Sequence, residues 1–164
     1  MISPTLVYDP AEDYYDVHAQ YQACQFCSAP VGAHTITGVS LWLYRTGTLG
    51  AVTIGVKLFK AGKPYGDYLT YTILTADEAD AKIPLSTSAW VHTSLPAYRI
   101  ESILTRYCFV LTESGGSSSH LYWGYSTEVG GATAYYSEDG GSTWSLLLYG
   151  GGHCDFLFKE HGIK

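Results

Sequence analysis

Residues 51–74 read AVTIGVKLFK, then AGKPYG, then DYLTYTIL. The flanking runs are rich in Val, Ile, Thr, Tyr and Phe, which suit a pleated, half-buried surface, while the Gly- and Pro-containing centre at 62–66 reverses the chain. The stretch predicts a hairpin, and its texture recurs. Residues 19–26, 35–44, 89–94, 106–112, 120–125, 132–137, 144–149 and 154–160 are further β-rich runs, separated by turn-forming segments at 47–50, 115–119, 130–131, 139–142 and 150–152. Short strands punctuated in this way predict an all-β, antiparallel sandwich or barrel. One helical turn is expected over 76–82, after Thr75 and before Pro84, which cannot continue a helix. No repeat at a solenoid or propeller period is present.

With 164 residues the chain has the size of one domain and can bury a sandwich core without a structural metal or a disulfide framework. Hydrophobic residues outnumber charged ones by 46% to 15%, which excludes global disorder. The net charge of −6 and the lack of a Lys/Arg cluster exclude nucleic acid as the main partner, because that affinity comes from clustered cations displacing counterions. No apolar run of about 18 residues is found, nor a charged segment followed by an apolar one, so neither a membrane span nor a secretion leader is expected. The start at Met1 reads as that of an unprocessed product of cytoplasmic synthesis. Residues 1–16 carry Pro4, Pro10 and the acids Glu12, Asp13 and Asp16 without a sustained period, and are expected to form an arm before a domain at 17–164. Residues 77–80 spell D-E-A-D, but without a phosphate-binding loop they read as a solvated acidic loop.

Four cysteines are too few for a disulfide scaffold. Cys24 and Cys27 form C-x-x-C, yet residues three apart on a strand face opposite sides of the sheet, so they would not chelate one ion. Cys24, Cys27, Cys108 and Cys154 are read as buried, unreactive thiols, with a Cys24–Cys154 disulfide as the rival. No metal site is assigned and no cofactor is expected, although calcium in an Asp-rich loop stays open.

Ser137, Asp139, Gly141, Thr143 and Trp144 spell S-x-D-x-G-x-T-W, the Asp-box pattern of sialidase propellers. It occurs once here, so it reads as a stabilised hairpin turn: Asp accepts backbone N–H bonds, Gly takes a positive φ, and Trp packs beneath. The six histidines are scattered, with His153 beside Cys154 and Asp155 the most suggestive local group, and no metalloprotease, serine-hydrolase or Cys/His spacing is found. The chain therefore reads as no enzyme. A glycan-active enzyme, the last alternative, would need two carboxylates about 5–10 Å apart, for which the loops offer Glu113, Glu128, Glu138 and Asp139. Aromatic residues crowd the C-terminal third. Aromatic faces stack on sugar rings and on partner proteins alike, so Tyr122, Tyr125, Tyr135, Tyr136, Trp144 and Tyr149 are the candidate glycan- or partner-binding residues, with about half of the rings in this region assigned to the core.

The order of landmarks is informative. Cys24-Gln-Phe26, Ile36 to Arg45 (ITGVSLWLYR), Gly62-Lys-Pro-Tyr-Gly66, Trp90-Val91, Tyr107 to Leu111, Tyr122-Trp123, Tyr136 to Trp144, and Asp155 to Phe158 with Gly162 follow one another. Across 19–162 this resembles a jelly-roll domain similar to carbohydrate-binding modules, found in tailed-phage virion proteins and bacterial surface proteins. The resemblance implies an antiparallel jelly-roll β-sandwich and no catalytic residues. It implies a bacteriophage structural protein on the virion surface, a capsid decoration, fibre or tail module, with glycan binding as an added capacity. Expected partners are other virion proteins, or itself as a homo-oligomer through residues 1–16, and a cell-surface glycan. The alternative is an extracellular, free-standing bacterial carbohydrate-binding module.

Overall fold

The computed structural model of the protein describes residues 11–28, 32–102, 104–115, 118–127 and 133–163. In chain order the strands are β1 (Asp13–Val17), β2 (Gln22–Ser28), β3 (His34–Thr46), β4 (Val52–Lys60), β5 (Lys63–Leu74), β6 (Ala89–Ile100), β7 (Arg106–Glu113), β8 (His120–Ser126), β9 (Ala134–Ser137), β10 (Ser145–Leu146), β11 (Leu148–Tyr149), β12 (Gly152–His153), β13 (Asp155–Phe156) and β14 (Phe158–Ile163). Two antiparallel sheets of six strands each pack together as a β-sandwich. The first runs β1-β8-β3-β14, with β6 on β3 and β13 on β8; the second runs β10-β9-β2-β7-β4-β5. Pairs nest: β4 lies against β7, β3 against β8 and β2 against β9. The one helix among the described residues, α1 (Ala76–Lys82), has the expected start, with Thr75 and Glu78 closing a reciprocal capping box. No helix among the described residues is long and apolar enough to cross a membrane.

The core follows from strand period two, which sends alternate side chains to one face. Val39, Leu41 and Leu43 of β3 and Leu121 and Trp123 of β8 meet Val52, Ile54 and Val56 of β4 and Phe109 and Leu111 of β7, all buried. Burying each such side chain contributes about 1.5–3 kcal/mol. Trp123 stacks on Phe156 with ring centroids 4.3 Å apart, and its indole N–H donates to the Leu157 carbonyl at 3.0 Å. Along one margin, the hydroxyls of Thr70 and Thr72 on β5 donate to the carbonyls of Pro96 and Ser94 on β6, tying the second sheet to the first.

Three expectations are corrected. Residues 13–16 are not free arm: Asp13–Val17 is an edge strand in register with Leu121–Tyr125, and the Glu12 carboxylate accepts from the Thr127 N–H and hydroxyl. Residues 1–10 of the expected arm lie outside the described residues. The run at 89–94 continues to Ile100, because Pro96 falls in a register shift between the pairs Gly38–Ser94 and Ile36–Tyr98, where no ladder N–H is needed. The runs at 144–149 and 154–160 are each split. Gly150 and Gly151, at φ +57° and +81°, close a separate hairpin of β11 and β12. At Leu157 the chain steps from β8 to β3, its N–H donating to Gly124 and its carbonyl accepting from the Trp42 N–H.

A polar group is enclosed at one end. His34, fully buried, bonds through Nδ1 to the Gly32 carbonyl and places Nε2 2.7 Å from Glu160 Oε1. The Tyr107 hydroxyl, whose pKa is pushed far above its ordinary value by burial and by Cys27 and Glu160, stays protonated and donates to Glu160 Oε2. Leaving a buried hydrogen-bonding group without its partner costs about 1–3 kcal/mol. Urea unfolding is therefore expected to show a loss of that size for Glu160→Ala and a smaller one for Glu160→Gln, which keeps an acceptor.

Candidate ligand cleft

The outer face of the second sheet is built from cross-strand rows. One row runs Tyr135 (β9), Cys24 (β2), Val110 (β7), Gly55 (β4) and Tyr71 (β5), and the row beside it runs Gln22, Thr112, Thr53 and Ile73. The period that sends Ala23, Leu111, Ile54 and Leu74 into the core sends these outward. A second apolar cluster forms there from Cys24, Phe59, Cys108 and Val110, with Phe26, Tyr68, Tyr135 and Trp144 packed against it. Beside it lies a cleft of about 450 Å³. Val110, Thr112, Thr53 and Gln22 line it in register, with Pro64, Tyr68, Tyr71 and Ile73 contributed from the β5 side and Trp144 with Gly140–Gly141 from the turn after β9.

Two local features shape the cleft. A Cβ at Gly55 would come within 2.5 Å of the Tyr68 ring and 2.7 Å of Tyr71 Cβ, so the missing side chain lets Tyr68 lie across the sheet. Lys57 Nζ sits 4.6 Å from the centre of the Tyr68 ring. Opposite, the S-x-D-x-G-x-T-W turn fixes Trp144. Asp139 accepts from the Ser137 hydroxyl at 2.8 Å, from the Thr143 N–H at 2.8 Å and from the Thr143 hydroxyl at 2.6 Å. Gly140 and Gly141 take φ of +72° and +89°, and the Trp144 indole N–H donates to the Gly141 carbonyl at 3.1 Å.

Of the aromatic residues singled out by sequence, Trp144 lines the cleft and Tyr135 packs in the cluster beside it. The others lie elsewhere. Tyr122 stacks on Tyr44 at 4.5 Å on the outer face of the first sheet. Tyr125 points inward and is buried, because Leu121, Trp123 and Tyr125 share the core phase of β8, so it is withdrawn as a binding residue. Tyr136 packs against the main core, 5.4 Å from Tyr15, and Tyr149 is exposed on the β11–β12 hairpin. Sequence reasoning missed Gln22, Thr53, Lys57, Tyr68, Tyr71 and Thr112. A glycine inside the 51–60 run, opposite a tyrosine-bearing run, was the available signal for a close approach.

The carboxylates and thiols have structural surroundings. Glu113 is buried and its Oε1 accepts from the N–H groups of Gly50 and Gly115, both at 2.6 Å. Asp139 serves the turn, Glu138 is exposed, and Glu128 lies outside the described residues. No carboxylate lines the cleft among the described residues. All four cysteines are free and buried, so the Cys24–Cys154 disulfide is not formed. Cys24 faces the outer cluster while Cys27 and Cys154 face the main core, and burial pushes the thiol pKa values of Cys24 and Cys27 well up, leaving them protonated.

In comparisons with known proteins, no family model and no curated protein matches the chain.

Hydrogen bonds from the Thr143 hydroxyl and N–H and from Ser137 lower the Asp139 pKa from 3.8 to about 2. The folded state thus binds this proton less tightly than the unfolded chain, so the stabilisation is complete above about pH 4 and is lost as pH falls towards about 2. Urea midpoints across that range are expected to fall less steeply for Asp139→Asn than for the parent, from a lower starting value at neutral pH.

Proposed function

We propose that this chain is a non-catalytic carbohydrate-binding β-sandwich of jelly-roll type, displayed on the surface of a bacteriophage virion. The cleft is the observation that supports the binding half. Tyr68, Tyr71 and Trp144 supply aromatic faces for a sugar ring, while Gln22, Thr53 and Thr112 supply short polar groups for its hydroxyls. Lys57 is the charged residue of the lining among the described residues, which favours neutral or acidic sugars over basic ones. The engagement of Glu113 and Asp139 in backbone support, together with a lining that holds no carboxylate among the described residues, favours binding over hydrolysis. The virion half rests on the family resemblance of residues 19–162. A free-standing bacterial module would use the same cleft.

A glycan array followed by calorimetry with the best-bound sugar tests the binding half. A ring contact is worth about 1 kcal/mol, roughly fivefold in affinity. Tyr71→Ala and Trp144→Ala are each expected to weaken binding by at least that factor, and Tyr122→Ala to leave it unchanged. Binding that survives both cleft substitutions, or no binding to any glycan, would refute this assignment. Assembly is read separately, by light scattering with and without residues 1–10. That deletion spares β1, and an oligomer that falls to a monomer supports self-association through the N-terminal segment.

A further inference from the structure

The opposite sheet carries a group of side chains that the sugar-binding reading does not use. β1 and β8 pair with Val17 opposite Leu121 and Asp16 opposite Tyr122, which sets His18 opposite His120 one step further along the same antiparallel register. Val17 and Leu121 point into the core, so Asp16, His18 and His120 share the outer face. The Asp16 carboxylate stands between the two rings, with Oδ1 3.1 Å from His18 Nδ1 and Oδ2 2.7 Å from His120 Nδ1. Donor atoms of the three residues all lie within 4.8 Å of one another.

We propose that Asp16, His18 and His120 form a binding site for a zinc-like divalent transition-metal ion. The donors decide the class of ion. Two imidazole nitrogens and one carboxylate oxygen suit zinc and its first-row neighbours, whereas calcium and magnesium take shells made of oxygen. The spacing fits as well. Metal–ligand bonds of about 2.1 Å in a tetrahedral shell put ligand atoms roughly 3.4 Å apart, a closure that side-chain rotation supplies from the present spread.

The surroundings pre-arrange the ligands. His18 follows β1 at a tight reversal in which the Tyr21 N–H donates to the His18 carbonyl at 2.8 Å and Ala19 takes φ +48°. Its ring stacks on Tyr21 at 4.7 Å, and the His120 ring stacks on Tyr122 at 6.1 Å. The ligand side chains are 20–33% exposed, so an ion can enter from solvent and a fourth position is left for water or an external ligand. Bound there, the ion would clip the edge strand β1 and the reversal that leads to β2 onto β8.

Titration calorimetry of the full chain with zinc chloride, after treatment with chelator, tests the site. One ion per chain is expected, together with a rise in melting temperature that grows with zinc concentration. Outer-shell changes at metal sites already cost about 10–100-fold in affinity, so His120→Ala and Asp16→Asn should each lose at least tenfold. His92→Ala removes a histidine that packs on His161 elsewhere on the same face, and should leave zinc binding unchanged. The proposal is overturned by an absence of heat above dilution with the parent chain, by undiminished binding in His120→Ala, or by loss of binding in His92→Ala. Because none of these outcomes involves a sugar, they are separate from any result at the cleft.

Discussion

The Trp123 indole holds the sandwich together at the point where the chain changes partners. Its ring stacks on Phe156 and its N–H is satisfied by Leu157, the residue at which the last segment leaves β8 for β3. A buried indole needs both an apolar bed and an acceptor, and this arrangement meets both needs from adjacent residues. It also fixes the phase of β8. With Trp123 inward, Leu121 and Tyr125 follow it, and Tyr122 and His120 are left on the outer face.

Each outer face then takes a different character from the same alternation. On the second sheet, small and β-branched residues in the middle rows, with aromatics from β5 and the 137–144 turn on the two sides, leave a cleft. On the first sheet the larger rings close ranks: Tyr14 meets Tyr44 edge-on, Tyr44 stacks on Tyr122, and Trp42 meets Trp90 edge-on with Lys159 over the latter. Aromatic content alone does not make a ligand site; gaps between rings do.

Local chemistry was legible in the sequence, and long-range pairing was not. The 51–74 hairpin, the Thr75-capped helix and the Asp139 turn are each specified by residues within a few positions of one another. The two cysteines of C-x-x-C fall on opposite faces for the same reason. Tyr125 was misplaced because Leu121, Trp123 and Tyr125 compete with Tyr122 and Gly124 for the inward phase, a contest that only the facing sheet settles. Pro96 concealed the second half of β6, since a proline reads as a strand end unless a register shift accommodates it. Asp16 and His120 are 104 positions apart and become neighbours solely through the β1–β8 register, so scattered histidines gave no hint of a cluster.

The four cysteines are buried and unbonded. No disulfide joins them, so the packing of the two sheets does not depend on a crosslink. Held protonated and away from solvent by burial, Cys24 and Cys27 offer dissolved oxidants and electrophiles little to react with.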